Sequence, residues 1–254
     1  MHCYRLFAAF CMIVVIGGVA RGADEPLKPS SGEEAFKPLF NGKDLSGWDG
    51  DATFWRVEDG MIVGETTAEK PIKNGNTFLI AQQDGKDVTF GDFEFRVSWR
   101  FAPDRPFGNS GIQYRSKHLP ASKENRWIVG GYQADCDKGN SYTGICYEER
   151  GRGIFCPYGK RIHVSADGKK EEVGETASAE DLKKARKPAG EWNDYVVICK
   201  ANHCTQILNG VVVADFVDEE TGKAASSGIL ALQLHAGQAM RIEFKEPKIK
   251  TGEK

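Results

Sequence analysis

The stretch Asp92 to Ala102 constrains the fold most. Phe93, Phe95, Val97, Trp99 and Phe101 alternate with Glu94, Arg96, Ser98 and Arg100. A period of two puts the apolar set on one side of an extended chain, which is a half-buried antiparallel strand and not a helix. Strand-like runs recur at Tyr195–Lys200, Thr205–Leu208, Val211–Phe216, Ile229–His235 and Met240–Lys245. Asn209-Gly210 between two of them is a strong hairpin signal. Only one segment argues for a helix: Ser178-Ala-Glu-Asp181 resembles a capping box, good helix formers follow to Lys187, and Pro188 stops it. Many short strands with one short peripheral helix predict an all-β protein, an antiparallel sandwich or jelly roll.

The two ends read differently from the rest. Arg5, the apolar run Leu6 to Ala20 and the small residues around Ala20-Arg21-Gly22 form a signal peptide over residues 1–22, with the mature chain starting near Ala23. The expected location is therefore exported, either periplasmic or extracellular, and the apolar run is short for a membrane span. Residues 23–35 are rich in Pro, Ser, Lys and Glu and read as a flexible arm. Residues 36–250 then fit one domain. A formal charge of −2 leaves no basic footprint for nucleic acid.

Five cysteines lie beyond the leader: Cys136, Cys146, Cys156, Cys199 and Cys204. The pairs Cys199–Cys204 and Cys146–Cys156 each flank a possible hairpin turn, so either could be a disulfide in an oxidising compartment or a pair of small buried hydrophobes. No close Cys-x-x-Cys pair exists, which argues against a cysteine metal site.

The chemistry concentrates in short polar strands at 108–116, 131–135 and 142–150. Parity places Gln133, Asp135 and Asp137 on one face, with Tyr132, Ala134 and Cys136 on the other. In the next segment Cys146, Glu148 and Arg150 share a face, and Ile145, Tyr147 and Glu149 share the opposite one. Arg150 and Arg152 around Gly151 could clamp an anion or decorate a turn. Near the end, Leu230, Leu232 and Leu234 point to the core, so Gln233 and His235 face away as candidates for substrate contact or proton transfer. Tyr114, Trp127, Tyr132, Tyr142, Tyr147 and Tyr158 could supply aromatic platforms for sugar rings, although several must be core. An ordinary wetted sheet face would show the same alternation.

Taken in order, Leu39–Trp48, Gly108–Arg115, Gly131–Asp135, Thr143–Glu148, Glu191-Trp-Asn193, Leu208-Asn-Gly210 and Gly228–His235 resemble the 3-keto-disaccharide hydrolase family over about residues 36–250. One departure is Met240-Arg-Ile-Glu243, where many members carry Phe-Arg-Asn-Ile. The resemblance implies a concanavalin-like sandwich that hydrolyses glycosides oxidised at C3 and so takes a carbohydrate as its partner. The ketone acidifies the C2 hydrogen, a base removes it, the enolate expels the glycosidic group, and water adds back.

On this reading Asp135 and Glu148 are the expected acid/base pair, with the roles within it open. His235 and Gln233 would bind substrate or move protons, and Gln133, Tyr114, Arg115 and Arg150 would contact it. The rival from another class is a non-catalytic, lectin-like carbohydrate-binding module on the same sandwich. No cofactor is marked with certainty, and a divalent cation among Asp135, Glu148 and His235 is a third possibility.

Overall fold

The computed structural model describes residues 25–119 and 125–252. The leader assigned to residues 1–22 lies outside the described residues. Among the described residues, no helix is long and apolar enough to cross a membrane.

Two sheets face each other across one core. The larger runs, in spatial order, through Lys170–Glu175, Lys160–Val164, Val211–Asp218, His203–Leu208, Asn193–Lys200, Phe93–Phe101, Met240–Thr251, Met61–Thr66 and Trp55–Glu58. The smaller runs through Gly153–Cys156, Cys146–Glu149, Val129–Asp137, Asn109–His118, Gly228–Leu234, Thr77–Gln83 and Trp48–Asp49. Pairing is antiparallel apart from Lys160–Val164, which runs parallel to Val211–Asp218. The all-β sandwich expected from the alternation is what the chain builds.

Local rules explain much of it. Phe93, Phe95, Val97, Trp99 and Phe101 all enter the core, where they meet Tyr114, Tyr132, Leu230, Leu232 and Leu234 of the opposite sheet. Asn209 and Gly210 both take positive φ, 49° and 83°, the backbone that a two-residue hairpin turn requires. The single helix spans Ala179–Ala185, and Ser178 caps it by accepting the Asp181 N–H at 3.1 Å.

Three expectations change. Residues 25–35 have almost no regular structure, as their composition suggests, yet they are tied along the outer face of the larger sheet. Leu27 N–H donates to Thr205 Oγ1 at 3.0 Å, Ser30 N–H to Glu94 Oε2 at 2.8 Å, and Glu33 pairs with Arg96 and Lys248. Composition reports what a segment can bury, not which exposed side chains will hold it.

The cysteines divide. Cys199 and Cys204 are directly opposed in their hairpin and form a disulfide. Cys146 and Cys156 are also cross-strand partners but remain thiols, with a register shift in the pairing immediately beside them. Cys146 Sγ lies 3.5 Å from the Tyr114 hydroxyl, whereas Cys156 Sγ lies 3.2 Å from the Lys160 carbonyl oxygen. Burial pushes the Cys156 thiol up to about 12, so it stays neutral and unreactive.

The third change concerns Arg115. A register shift between the strands Asn109–His118 and Gly228–Leu234 coincides with a positive φ of 46° at Arg115. This bulge turns Arg115 inward and lets Ser116 take the outward place that parity gave to Arg115.

Candidate active site

The outer face of the smaller sheet has two halves. One is apolar, with Phe78, Ile80, Val129, Ile229 and Ala231 packed beneath Trp127. The other is a pocket of about 400 Å³ whose lining includes Gln133, Asp135, Tyr147, Glu149, Gln233 and His235. Asn76, Asn109, Tyr142 and Ile154 complete its wall.

Cross-strand register builds the floor. Gln133 lies opposite Tyr147 on one side and Gln113 on the other, and Asp135 lies opposite Gly111. A Cβ at position 111 would stand 2.4 Å from Gln133 Cγ, so glycine there makes the room in which Gln133 reaches Asp135. Gln133 Nε2 donates to Asp135 Oδ2 at 2.9 Å, while Gln133 Oε1 accepts from Gln113 Nε2 at 2.7 Å. The other Asp135 oxygen, Oδ1, is buried without a hydrogen-bond partner.

This environment favours the neutral acid. Burial pushes the Asp135 carboxyl well above the usual carboxylate range; the Gln133 bond opposes this, and the charges of Asp137 and Glu149 reinforce it. Burial also raises Glu149, countered by Arg150, His235 and a bond to Asn76. Gln233 Nε2 donates to Glu149 Oε2 at 3.2 Å.

His235 follows the last floor strand. Phe107 packs against its ring in an edge-on contact, with centroids 5.9 Å apart, and its Nδ1 lies 2.5 Å from the Ala236 carbonyl oxygen. A carbonyl can only accept, so Nδ1 carries the hydrogen of this bond. The pocket thus brings together a carboxyl that favours its proton, a second carboxyl and an imidazole whose Nδ1 is committed to the backbone.

Four of the expected site residues, Asp135, Gln133, Gln233 and His235, meet here. Arg150 stands at a turn beside the pocket, near enough to act on Glu149. Glu148 is not in the pocket. It lies opposite Tyr132 on the inward face, where Arg152 Nε grips it at 2.5 Å while Arg152 Nη2 binds Asp218 at 2.6 Å and Nη1 binds Glu220 at 2.8 Å. Glu149 takes the place expected of Glu148. Tyr147 and Glu149 were already on one face by parity, and the register of Tyr147 against Gln133 is the information needed to choose that face.

Tyr114 and Arg115 are also displaced from their expected roles. Tyr114 is fully buried between the sheets, where its hydroxyl accepts from Gln206 Nε2 at 2.8 Å. Arg115 is buried and donates to the carbonyl oxygens of Ala201, Ala225 and Gly91 at 2.5, 3.1 and 3.2 Å. Of the candidate aromatic platforms, Tyr142 and Tyr147 line the pocket, Tyr114 and Tyr132 are core, and Tyr158 donates to the Leu182 carbonyl oxygen at 2.5 Å. With Glu148 on the opposite face, the suggested cation trio does not assemble. Among the described residues, no group of three or more His, Cys, Asp or Glu side chains converges as a metal cage. Asn76 carried no motif that would have marked it, and Asn109, although inside the Gly108–Arg115 segment, was not singled out as a site residue.

Two mainly antiparallel sheets, with a polar pocket on the outer face of one, define a galectin-like sandwich. The chain belongs to the family of 3-keto-alpha-glucoside-1,2-lyase-like domains, whose model matches residues 35–250. Among solved structures it is similar to two candidate glycosyl hydrolases from Parabacteroides distasonis. One shares 22% identity over 87% of this chain and 95% of that one, with a TM-score of 0.54. The other shares 18% identity over 85% and 99%, with a TM-score of 0.52. A Bacillus subtilis protein of unknown function with a galectin-like fold has a TM-score of 0.52 at 11% identity, over 85% of this chain and 94% of that one. At these identities the likeness is one of fold. Among curated proteins, none matches the chain.

Proposed function

We propose that this protein is an exported enzyme that opens the glycosidic bond of sugars carrying a ketone at C3, by removal of the C2 hydrogen, elimination and hydration. The observation that carries the reading is the pairing, in one pocket, of a buried carboxyl that favours its proton with an imidazole. Asp135 has one oxygen without a hydrogen-bond partner, and His235 has its Nδ1 committed to the Ala236 carbonyl, which leaves Nε2 as the nitrogen for a substrate proton.

The C3 ketone makes the C2 hydrogen acidic, and His235 Nε2 takes it. The carbanion's electron pair becomes an enolate and then forms the C1–C2 double bond as the C1–oxygen bond breaks. Asp135 gives its proton to the departing oxygen. In the second half water adds: its oxygen bonds to C1, one of its protons passes to Asp135 while the other stays on the new hydroxyl, and His235 returns to C2 the proton it took. Glu149 in its ionised form offsets the imidazolium charge. Tyr142, about half exposed, and Ile154 offer apolar surface at the mouth for a sugar ring.

The test is incubation of the protein with a 3-keto-disaccharide and with its unoxidised parent. Cleavage of the oxidised sugar alone supports the reading. Binding of either without cleavage would assign the pocket to a carbohydrate-binding module instead.

A further inference from the structure

The Gln113–Gln133 bond continues away from the pocket. Ser116 Oγ lies 2.7 Å from Gln113 Oε1 and 3.1 Å from the Tyr114 carbonyl oxygen, and both neighbours are acceptors. Its one hydrogen goes to the nearer. Each step then fixes the next. Gln113, accepting at Oε1, presents its NH2 to Gln133 Oε1, and Gln133 presents its own NH2 to Asp135 Oδ2. Ser116, Gln113 and Gln133 are all buried, so water does not compete for these groups. The bulge at Arg115 is what brings Ser116 onto this face beside Gln113.

We propose that Ser116 and Gln113 are positioning residues, which by this directional chain keep Asp135 Oδ2 as an acceptor and so place the Asp135 proton on the unpartnered oxygen Oδ1. The inference rests on the reading of Asp135 as the acid that protonates the leaving oxygen. A reversed chain would have Ser116 donating to the Tyr114 carbonyl, both amides turned over, and the Asp135 proton on Oδ2, tied up in a bond to Gln133.

The two polarities have opposite electrostatic signatures. In the assigned one the chain donates to Asp135 and favours its ionised form; in the reversed one the chain accepts from Asp135 and favours the neutral form. The titratable groups facing Asp135 do not depend on this choice. They are Tyr147 and Glu149 from the neighbouring strand, His235, Tyr142 and, on its own strand, Asp137. From the opposite sheet the Tyr195 hydroxyl donates to the Asp135 carbonyl oxygen at 3.1 Å and also feels the Asp135 charge, as does the buried thiol of Cys136.

The experiment follows the Asp135 carboxyl carbon by NMR across pH in substrate-free protein, its signal assigned by loss in Asp135→Asn. Gln113→Leu breaks the chain in the middle, and Ser116→Ala removes its far end with a smaller change in packing. Both are expected to move the Asp135 midpoint upward and to lower kcat about tenfold, with KM within about twofold of wild type. A midpoint that stays put or falls overturns the proposal, as does unchanged kcat in both variants when Asp135→Asn is inactive. Should Asp135→Asn keep full activity, the reading of Asp135 as the acid fails, and the titration alone then judges the chain.

Discussion

Gln133 donates its side-chain amide to Asp135 Oδ2 at 2.9 Å, and the second oxygen of the same carboxyl is buried with no partner. An ionised carboxylate in that position would leave part of its charge without a donor. A neutral acid needs only to hold its proton, which is the state that can be passed to a leaving group.

Asp135→Asn is therefore expected to abolish turnover and to stabilise the fold at neutral pH. A carboxyl whose folded-state value is raised keeps a proton that the unfolded chain has released above about 4. The folded state then binds more protons, and stability falls as pH rises through that window. Asparagine does not titrate, so the variant lacks this fall. Thermal melts should coincide near pH 4 and separate in the variant's favour at pH 7, by about 2–4 °C per kcal/mol recovered. A variant that melts below wild type at pH 7 would contradict the assignment.

The neighbouring glutamates should separate function from stability. Glu149→Gln is expected to lower kcat by at least about tenfold, with an unchanged fold, because it removes the charge facing His235. Glu148→Gln should leave kcat near wild type while costing about 1–3 kcal/mol in urea denaturation, since Arg152 loses a partner in a largely buried cluster. Swapped phenotypes would return the acid/base role to Glu148.

Gly111→Ala tests the packing behind the site. The added methyl would stand 2.4 Å from Gln133 Cγ and 2.5 Å from its Cδ, so Gln133 must leave its place beside Asp135. Overpacking of this kind costs about 1–3 kcal/mol, and activity should fall with it. Wild-type activity combined with wild-type stability would mean that Gln133 is not held as described.

Replacing both Cys199 and Cys204 with serine should cost roughly 2 kcal/mol, the chain-entropy value for so short a loop. Turnover should persist at temperatures where the variant is folded, because the disulfide joins two strands of the sheet that does not carry the pocket. Loss of activity in a variant with an intact fold by circular dichroism would show unexpected coupling between the sheets.

What the sequence made legible was local. The alternation from Phe93 to Phe101, the Asn209-Gly210 turn and the Ser178 cap depend on residues a few positions apart, and each forms as expected. The orientation of Gln133, Asp135 and Gln233 within their own strands was equally readable, as was the side on which His235 follows the last of them. What parity could not supply was how one strand meets the next. Choosing Glu149 over Glu148 requires the register of Tyr147 against Gln133, and removing Arg115 from the site requires the bulge that turns it inward. Tyr114 resembled a sugar platform because an aromatic on a polar strand looks the same from sequence whether it faces water or the opposing sheet.

The segment from residue 25 to 35 is fastened to the back of the larger sheet, and the pocket opens from the far side of the smaller one. Residue 25 therefore sits at the rear of the molecule. A tether or an immobilising resin attached at that position would hold the protein like a lamp on a bracket, with its pocket turned toward the medium.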